Sequence, residues 1–281
     1  MVNDIKLTSA MRSNLLSLQG TQGLMDRTQN RLATGLKVNS AIDNPSSFFT
    51  AQGLNQRAGD LTNLMDSMGQ GIQTLKAADE GIKSLTKFAE QLKSIANQAL
   101  ETTDGDRREA LMEQFNAVIV QMDDLAGDSG YKGVNLLAGD SLTVNFNEDR
   151  TSKITVVGVD GTAAGDLSIA DGAGWKPGGT DASDIAAANT AVMTALNAAE
   201  DAVNTLRNWA SEFGNAYSIL QTREDFTDNL VNVLTEGADK LTLADMNEES
   251  ANMLALQTRQ QLGINSLSLA SQAAQSVLKL F

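Results

Sequence analysis

The chain has 281 residues, enough for one or two domains with a sizeable core, and 42% of them are hydrophobic, which excludes a compositionally disordered protein. It contains no cysteine and no histidine, so disulfides, zinc–thiolate sites and cysteine nucleophiles are excluded and catalysis is disfavoured. The net charge of −14 comes from the middle of the chain, because residues 1–40 hold five basic and two acidic residues, and such an acidic body repels nucleic acid and anionic membranes.

The first predicted helix is amphipathic. Its apolar seam follows a regular alternation of four and three residues from Met11 to Leu36. Gly35 and the polar residues that follow it break this pattern. Asn44 is then interpreted as a helix cap and Pro45 as a first-turn proline, so a second helix is expected to begin there.

The second predicted helix continues the alternation from Leu54 onwards. Its stripe shifts phase at Leu85 and runs on to Ala99, a change that alters coiled-coil winding locally. Asp106 and Glu109 then form the pattern of a capping box. They predict a third helix, which is expected to fold back on the second.

The centre of the sequence differs in character. Apolar residues alternate on both sides of 147–152, which predicts a β-hairpin within about 140–170. Residues 158–182 are rich in glycine and aspartate and are interpreted as a loop, with one more short strand at 167–169.

Two further helices are predicted in the C-terminal part. One stripe runs from Ile185 to Leu234, and another begins at Met246 and reaches the final residue. Apolar stripes at both ends of a chain have to be buried against something. The predicted fold is therefore mainly α, with long antiparallel helices that pair both termini, a helical bundle and a small central β-hairpin region.

The residues that follow the first stripe carry a family resemblance. The stretch Arg31-Leu-Ala-Thr-Gly-Leu-Lys-Val-Asn-Ser-Ala-Ile-Asp-Asn44 resembles the N-terminal signature of bacterial flagellins, in which a leucine-rich helix ends in a Ser/Thr-Gly-x-x-Ile/Val-Asn-x-Ala-x-Asp loop. Residues 131–137 are similar to the aromatic-Asn-Gly segment of that family, and residues 256–281 resemble the flagellin tail. Their order and terminal placement make the resemblance specific.

The resemblance implies a structural subunit that polymerises into the flagellar filament used for swimming. Residues 1–40 and 241–281 would form an inner coiled-coil domain, and residues 41–240 an outer-tube domain that carries the hairpin, with little or no outer variable domain. A nearby alternative is a hook–filament junction protein. From another class, a helical signalling or coiled-coil scaffold would predict a stable dimer. An enzyme ranks last, and no cofactor or metal is expected.

Three sets of residues follow from the resemblance. The inner-domain subunit interface is assigned to Met11, Leu15, Leu18, Met25, Leu32, Leu36, Leu256, Leu267, Ala270, Ala274, Val277 and Phe281. The inter-domain loop is assigned to Gly35, Asn39, Asp43, Asn44 and Pro45. Many flagellins carry an Arg-x-x-x-Leu pair and a Glu that an innate immune receptor binds. The matching positions in this chain are Gln91, Ile95 and Gln114. They depart from the family pattern, so weak or no recognition is predicted.

The partners and location are also implied by the family. Expected partners are other copies in a helical homopolymer, the flagellar type III export apparatus, an export chaperone at the C-terminal helix, and the filament cap and hook-associated proteins. No nucleic acid or membrane partner is expected, because the acidic body repels nucleic acid and anionic membranes and no apolar run is long enough to span a bilayer. The expected location is the extracellular flagellar filament, reached without a cleavable signal peptide, because the first thirty residues lack the apolar segment of a secretory signal.

Overall fold

A computed structural model describes residues 9–278, apart from the side chains of Ala10, Ala274, Val277 and Leu278. Over this range the fold is mainly helical, with one small antiparallel sheet, so the predicted fold class is confirmed. The elements in chain order are α1 (Ser9–Thr34), α2 (Pro45–Glu101), α3 (Gly105–Asp128), β1 (Leu142–Asn145), β2 (Lys153–Val156), α4 (Ala182–Thr242) and α5 (Met246–Leu278).

Local capping chemistry determines where two of these helices begin. Asn44 Oδ1 accepts a hydrogen bond from the Ser47 amide at 3.1 Å, and α2 begins at Pro45 as predicted. Before α5, Asp245 Oδ1 accepts from the Asn247 amide at 2.9 Å. These carboxyl and amide oxygens satisfy amides that have no partner within the helix.

The predicted capping box of α3 is wrong. Asp104 caps this helix instead, because its side chain accepts from the Asp106 amide at 3.1 Å. The carboxylates of Asp106 and Glu109 bind the Lys176 ammonium at 3.2 and 2.7 Å. These ion pairs hold the pKa of Lys176 above its ordinary value, with Glu109 as the larger cause.

The hairpin forms as predicted. β1 and β2 pair antiparallel, with Leu142 opposite Val156 and Asn145 opposite Lys153. Side chains on successive residues of a strand point to opposite faces. Val144 and Val156 are accordingly buried on the core side of the sheet, while Thr143 and Thr155 are exposed.

The segment between β2 and α4 contains no strand, so the short strand predicted at 167–169 is wrong. Leu167 and Ile169 are nevertheless buried, at 2% exposure each. Trp175 is fully buried, and its ring centroid lies 4.8 Å from that of Phe115 in α3. A glycine-rich segment therefore contributes a tryptophan to the core without forming regular structure.

The described chain divides into two compact units. We call Gly59–Val231 the central unit. It holds the main apolar core, to which parts of α2, α3 and α4, the hairpin and the segment before α4 all contribute. The terminal unit consists of the described residues of Met1–Ala58 and Asn232–Phe281.

Two buried polar side chains hold the ends of α3 in the central unit. At the start, Arg108 is fully buried and donates from Nε to the Thr102 carbonyl at 2.6 Å and from Nη2 to Asn189 of α4. At the end, Asn135 Nδ2 donates to the carbonyls of Ala126 and Gly127 at 2.7 and 2.9 Å. Because the last carbonyls of a helix lack intrahelical partners, Asn135 supplies donors to two that α3 leaves unpaired.

Candidate subunit interface

In the terminal unit, α1 and α5 pack antiparallel, and we call them the terminal helix pair. Arg31 Nη1 contacts Glu249 Oε1 at 2.7 Å, and Gln260 Nε2 donates to Gln22 Oε1 at 2.9 Å. The later residue of α1 thus contacts the earlier residue of α5, and the earlier residue of α1 the later one, as an antiparallel pair requires. Near the far end, a Cβ added at Gly263 would lie 2.6 Å from the Leu18 side chain, so a larger residue there would require Leu18 to move.

The most buried side chains of the terminal helix pair are polar. Among the side chains described in α1 and α5, the buried ones are Thr21, Thr28 and Glu249. Glu249 is 8% exposed and Arg31 35% exposed, so their ion pair is largely shielded from solvent. A buried carboxylate has to be paired, and this pairing fixes the register of the two helices.

The seam residues named from the sequence are less buried than these polar side chains. Leu15 is exposed at 39%, and none of the described members of the set is fully buried. Ala274 and Val277 belong to α5, but their side chains lie outside the described part of the chain, and Phe281 lies outside it altogether. The half-buried members are Met11, Leu18, Met25, Leu32, Leu36, Leu256, Leu267 and Ala270.

A second apolar surface was not identified from the sequence. Leu254, Leu262 and Leu269 are 67%, 64% and 67% exposed, and they fall within about 80° of one another around α5. This places them opposite Leu256 and Leu267, which face α1. Their spacing of eight and seven residues is the signal that could have revealed them. With exposed apolar residues elsewhere on the pair they form what we call the outer apolar set: Leu16, Leu24, Leu254, Leu262, Ile264 and Leu269.

The connections between helices are fixed by backbone hydrogen bonds within the terminal unit. Gly35 ends α1 with a positive φ of 72°, and its amide donates to the Arg31 carbonyl at 2.8 Å. Its own carbonyl accepts from the Ala244 amide at 2.9 Å, and the Lys37 amide donates to the Thr242 carbonyl at 2.8 Å. The two connections therefore run side by side as a short bridge.

Asp43 organises the rest of the predicted loop. Its Oδ2 accepts from the Asn39 and Ser40 amides and from the Ser40 hydroxyl, each at 3.2 Å. The Asn39 amide is the largest cause that holds the pKa of this carboxyl below its ordinary value of 3.8. Asn44 and Pro45 follow at once as the cap and first residue of α2. All five predicted loop residues thus lie in one hydrogen-bonded connection.

The three positions compared with the immune epitope lie in the central unit. Gln91 of α2 and Gln114 of α3 are exposed, whereas Ile95 of α2 is buried at 6% exposure. The apolar member therefore belongs to the core, and two neutral amides are presented to solvent.

Asp123-Asp124 and Glu248-Glu249 are pairs of neighbouring acidic residues, and one member of each has a structural partner. Asp123 Oδ1 accepts from the Ala163 amide, and Glu249 pairs with Arg31. Over residues 9–278 no group of three or more acidic, histidine or cysteine side chains could hold a metal ion. In the same range, no helix combines the length and apolarity that crossing a membrane requires.

Comparisons with known proteins agree with this architecture. Residues 2–141 match the family described as the bacterial flagellin N-terminal helical region, and residues 196–281 match the bacterial flagellin C-terminal helical region. A flagellin of Brucella melitensis is 30% identical over 99% of this chain and 98% of its own length. Flagellin FljM of Caulobacter vibrioides is 27% identical over 100% of this chain and 99% of its own. The chain therefore belongs to the bacterial flagellin family, the structural subunits of the flagellar filament.

Proposed function

We propose that the terminal helix pair drives polymerisation by burying its outer apolar set against neighbouring copies. The observation that carries this proposal is that Leu254, Leu262 and Leu269, on the face of α5 opposite Leu256 and Leu267, are 67%, 64% and 67% exposed. Apolar side chains gathered on one exposed face, as these three leucines are on α5, are typical of a surface that binds another chain. Full burial of one leucine stabilises an assembly by about 1.5–3 kcal/mol, so several on one pair are enough to favour association.

The domain assignment belongs to the same proposal. Residues 1–40 and 241–281 would line the inside of the filament, and residues 41–240 would form the surrounding tube. The grouping of both terminal helices into one compact unit supports this assignment. So does the charge distribution, since residues 1–40 carry a net positive charge in an acidic chain.

The route to the filament is also proposed. The chain would leave the cell through the flagellar type III export apparatus without a cleavable signal peptide, and would be added to the extracellular filament beneath the cap, beyond the hook-associated proteins. Leu254, Leu262 and Leu269 are exposed on α5, so they would need cover before assembly. This supports an export chaperone at the C-terminal helix. The hook–filament junction alternative is not favoured, because the matched relatives are flagellins over nearly their full lengths.

The decisive experiment removes the outer leucines of α5. The triple variant Leu254→Ser, Leu262→Ser and Leu269→Ser should fold as a monomer and fail to form filaments after seeding, as seen by electron microscopy and pelleting. The matched control replaces exposed polar residues of the same helix with serine, at Gln257, Gln261 and Gln272. This control should polymerise as the unmodified chain does. Normal filaments from the leucine variant would refute the proposal.

Weak immune recognition remains a proposal as well. The exposed Gln91 and Gln114 offer no charge to a receptor that reads an arginine and a glutamate. A cell-reporter assay with purified monomer should show weak or no activation. Restoring the pattern with Gln91→Arg and Gln114→Glu should raise the signal, and full activation by the unmodified chain would contradict the proposal.

A further inference from the structure

The connection between α1 and α2 holds an isoleucine in solvent. Ile42 is 95% exposed, the largest exposed fraction of any large apolar side chain that the structure describes. The connection is not loose at this point, because Asp43 Oδ2 accepts three hydrogen bonds from Asn39 and Ser40. The Asp43 amide also donates to the Ser40 carbonyl at 3.1 Å. Ile42 is therefore presented in a fixed position, and it does not fold back on its own chain.

A groove of about 560 Å³ lies next to this turn in the terminal unit. Its deeper side chains are apolar, and two of them, Val38 and Ala51, are buried. Its polar lining includes neutral amides of α2, with Gln52 and Gln56 one helical turn apart, and one carboxylate residue of α4, Asp239. The groove has room for a branched aliphatic side chain, and its own Ile42 remains outside it.

We propose that Ile42 of one copy docks into the groove of a second copy. This contact rests on the proposed function, and it uses a surface separate from the outer apolar set. The projecting residue and the groove are different patches of the same chain, so the contact is heterologous. Heterologous contacts repeat head to tail and generate rings or open helical polymers, whereas isologous contacts stop at dimers.

The small size of the contact identifies the occupant as a second copy within a polymer. One isoleucine and its turn bury far less than the roughly 1,200 Å² of total surface that a stable complex needs. An independent partner would not be held by it, but copies already aligned by their terminal helices would gain from it. The side chain that enters carries no charge, so it adds none to a groove whose lining holds one carboxylate residue, Asp239, and the Asp43 carboxylate of the entering turn is hydrogen-bonded within its own turn.

The absence of native cysteine allows a direct test, because every disulfide must join introduced residues. Two single variants, Ile42→Cys and Gln52→Cys, are mixed, polymerised and oxidised mildly. Covalent dimers should form in the mixed polymer and in neither variant polymerised alone. The matched control uses Thr50→Cys in place of Gln52→Cys. Thr50 is exposed, does not line the groove and lies about 200° around α2 from Gln52. This control should give no dimers.

A second measurement uses the side chain itself. Ile42→Ser should raise the monomer concentration needed for polymerisation about tenfold or more, and Ile42→Leu should leave it nearly unchanged. Filaments without mixed dimers, dimers from Ile42→Cys alone, or an unchanged threshold for Ile42→Ser would overturn the contact while leaving the proposed function intact. If the unmodified chain formed no filaments, the proposed function would fail, and the contact with it.

Discussion

In the central unit, three helices, a hairpin and a glycine-rich segment enclose apolar side chains such as Phe115, Met122 and Trp175. In the terminal helix pair, the described buried side chains are Thr21, Thr28 and Glu249, and several leucines, among them Leu254 and Leu262, face outward. Both regions are built from long amphipathic helices. The difference teaches that amphipathicity alone does not say whether a helix completes a core within one chain or offers its apolar face to other chains.

The largest expected effect comes from opening the enclosed core. Phe115→Ala should lower the free energy of unfolding by about 3–5 kcal/mol, because it leaves a cavity beside Trp175. Leu262→Ala removes an aliphatic side chain that is 64% exposed, and should change the free energy of unfolding of the monomer by about 0.5 kcal/mol or less. Urea denaturation of both monomers measures the contrast. Equal losses would show that α5 is as enclosed as α3 and would break the comparison.

A smaller effect is expected from the polar interior of the terminal helix pair. Glu249→Ala leaves Arg31 without its carboxylate, and should destabilise the pairing of α1 with α5 by about 1–3 kcal/mol. Amide hydrogen exchange of both helices in the monomer would report this loss. Glu248→Ala is the matched control. Because Glu248 is exposed, this substitution should leave amide hydrogen exchange unchanged. Equal protection in both variants would mean that apolar contacts alone hold the pair together.

The smallest effect concerns pH. Hydrogen bonds from Asn39 and Ser40 hold the pKa of Asp43 below its ordinary value of 3.8. A carboxyl whose pKa is lower in the folded state stabilises it above the unfolded value, and this stabilisation is lost as the pH falls through the folded value. The turn around Ile42 should therefore loosen only below about pH 4. Backbone chemical shifts of Asn39 and Ser40 should follow this transition.

The control for this prediction is Asp43→Asn, which has no titrating group at that position. Its turn should show no transition of its own in the acidic range. If Asp43→Asn loosened at the same pH as the unmodified chain, another group would be responsible. The central unit serves as an internal reference, because these hydrogen bonds lie within the terminal unit.

Elements set by near neighbours could be predicted from the sequence. The alternation of apolar residues located the helices, Asn44 and Pro45 marked the start of α2, and alternating residues placed the hairpin. These signals are local, since helical and strand periodicity, caps and turns depend on residues a few positions apart. The antiparallel pairing of the two ends was accessible for a different reason, because apolar stripes at both termini need a partner.

Features that depend on distant contacts could not be predicted in this way. Asp106 matched a capping box, but Lys176, a residue far along the chain, binds its carboxylate, and Asp104 caps the helix. Trp175 was assigned to a loop, yet it is fully buried against α3. In each case a contact with a residue remote in sequence determined where the side chain lies.

What the sequence by itself determined was the set of helices, their amphipathic stripes and the family. What only the tertiary structure decided was which leucines remain uncovered, because exposure depends on what packs against a helix. Leu254 and Leu256 are two residues apart in the same amphipathic helix, and Leu254 faces solvent while Leu256 faces α1. A two-residue step turns about 200° around a helix, so the position of the partner helix decides which of the two is left for another chain.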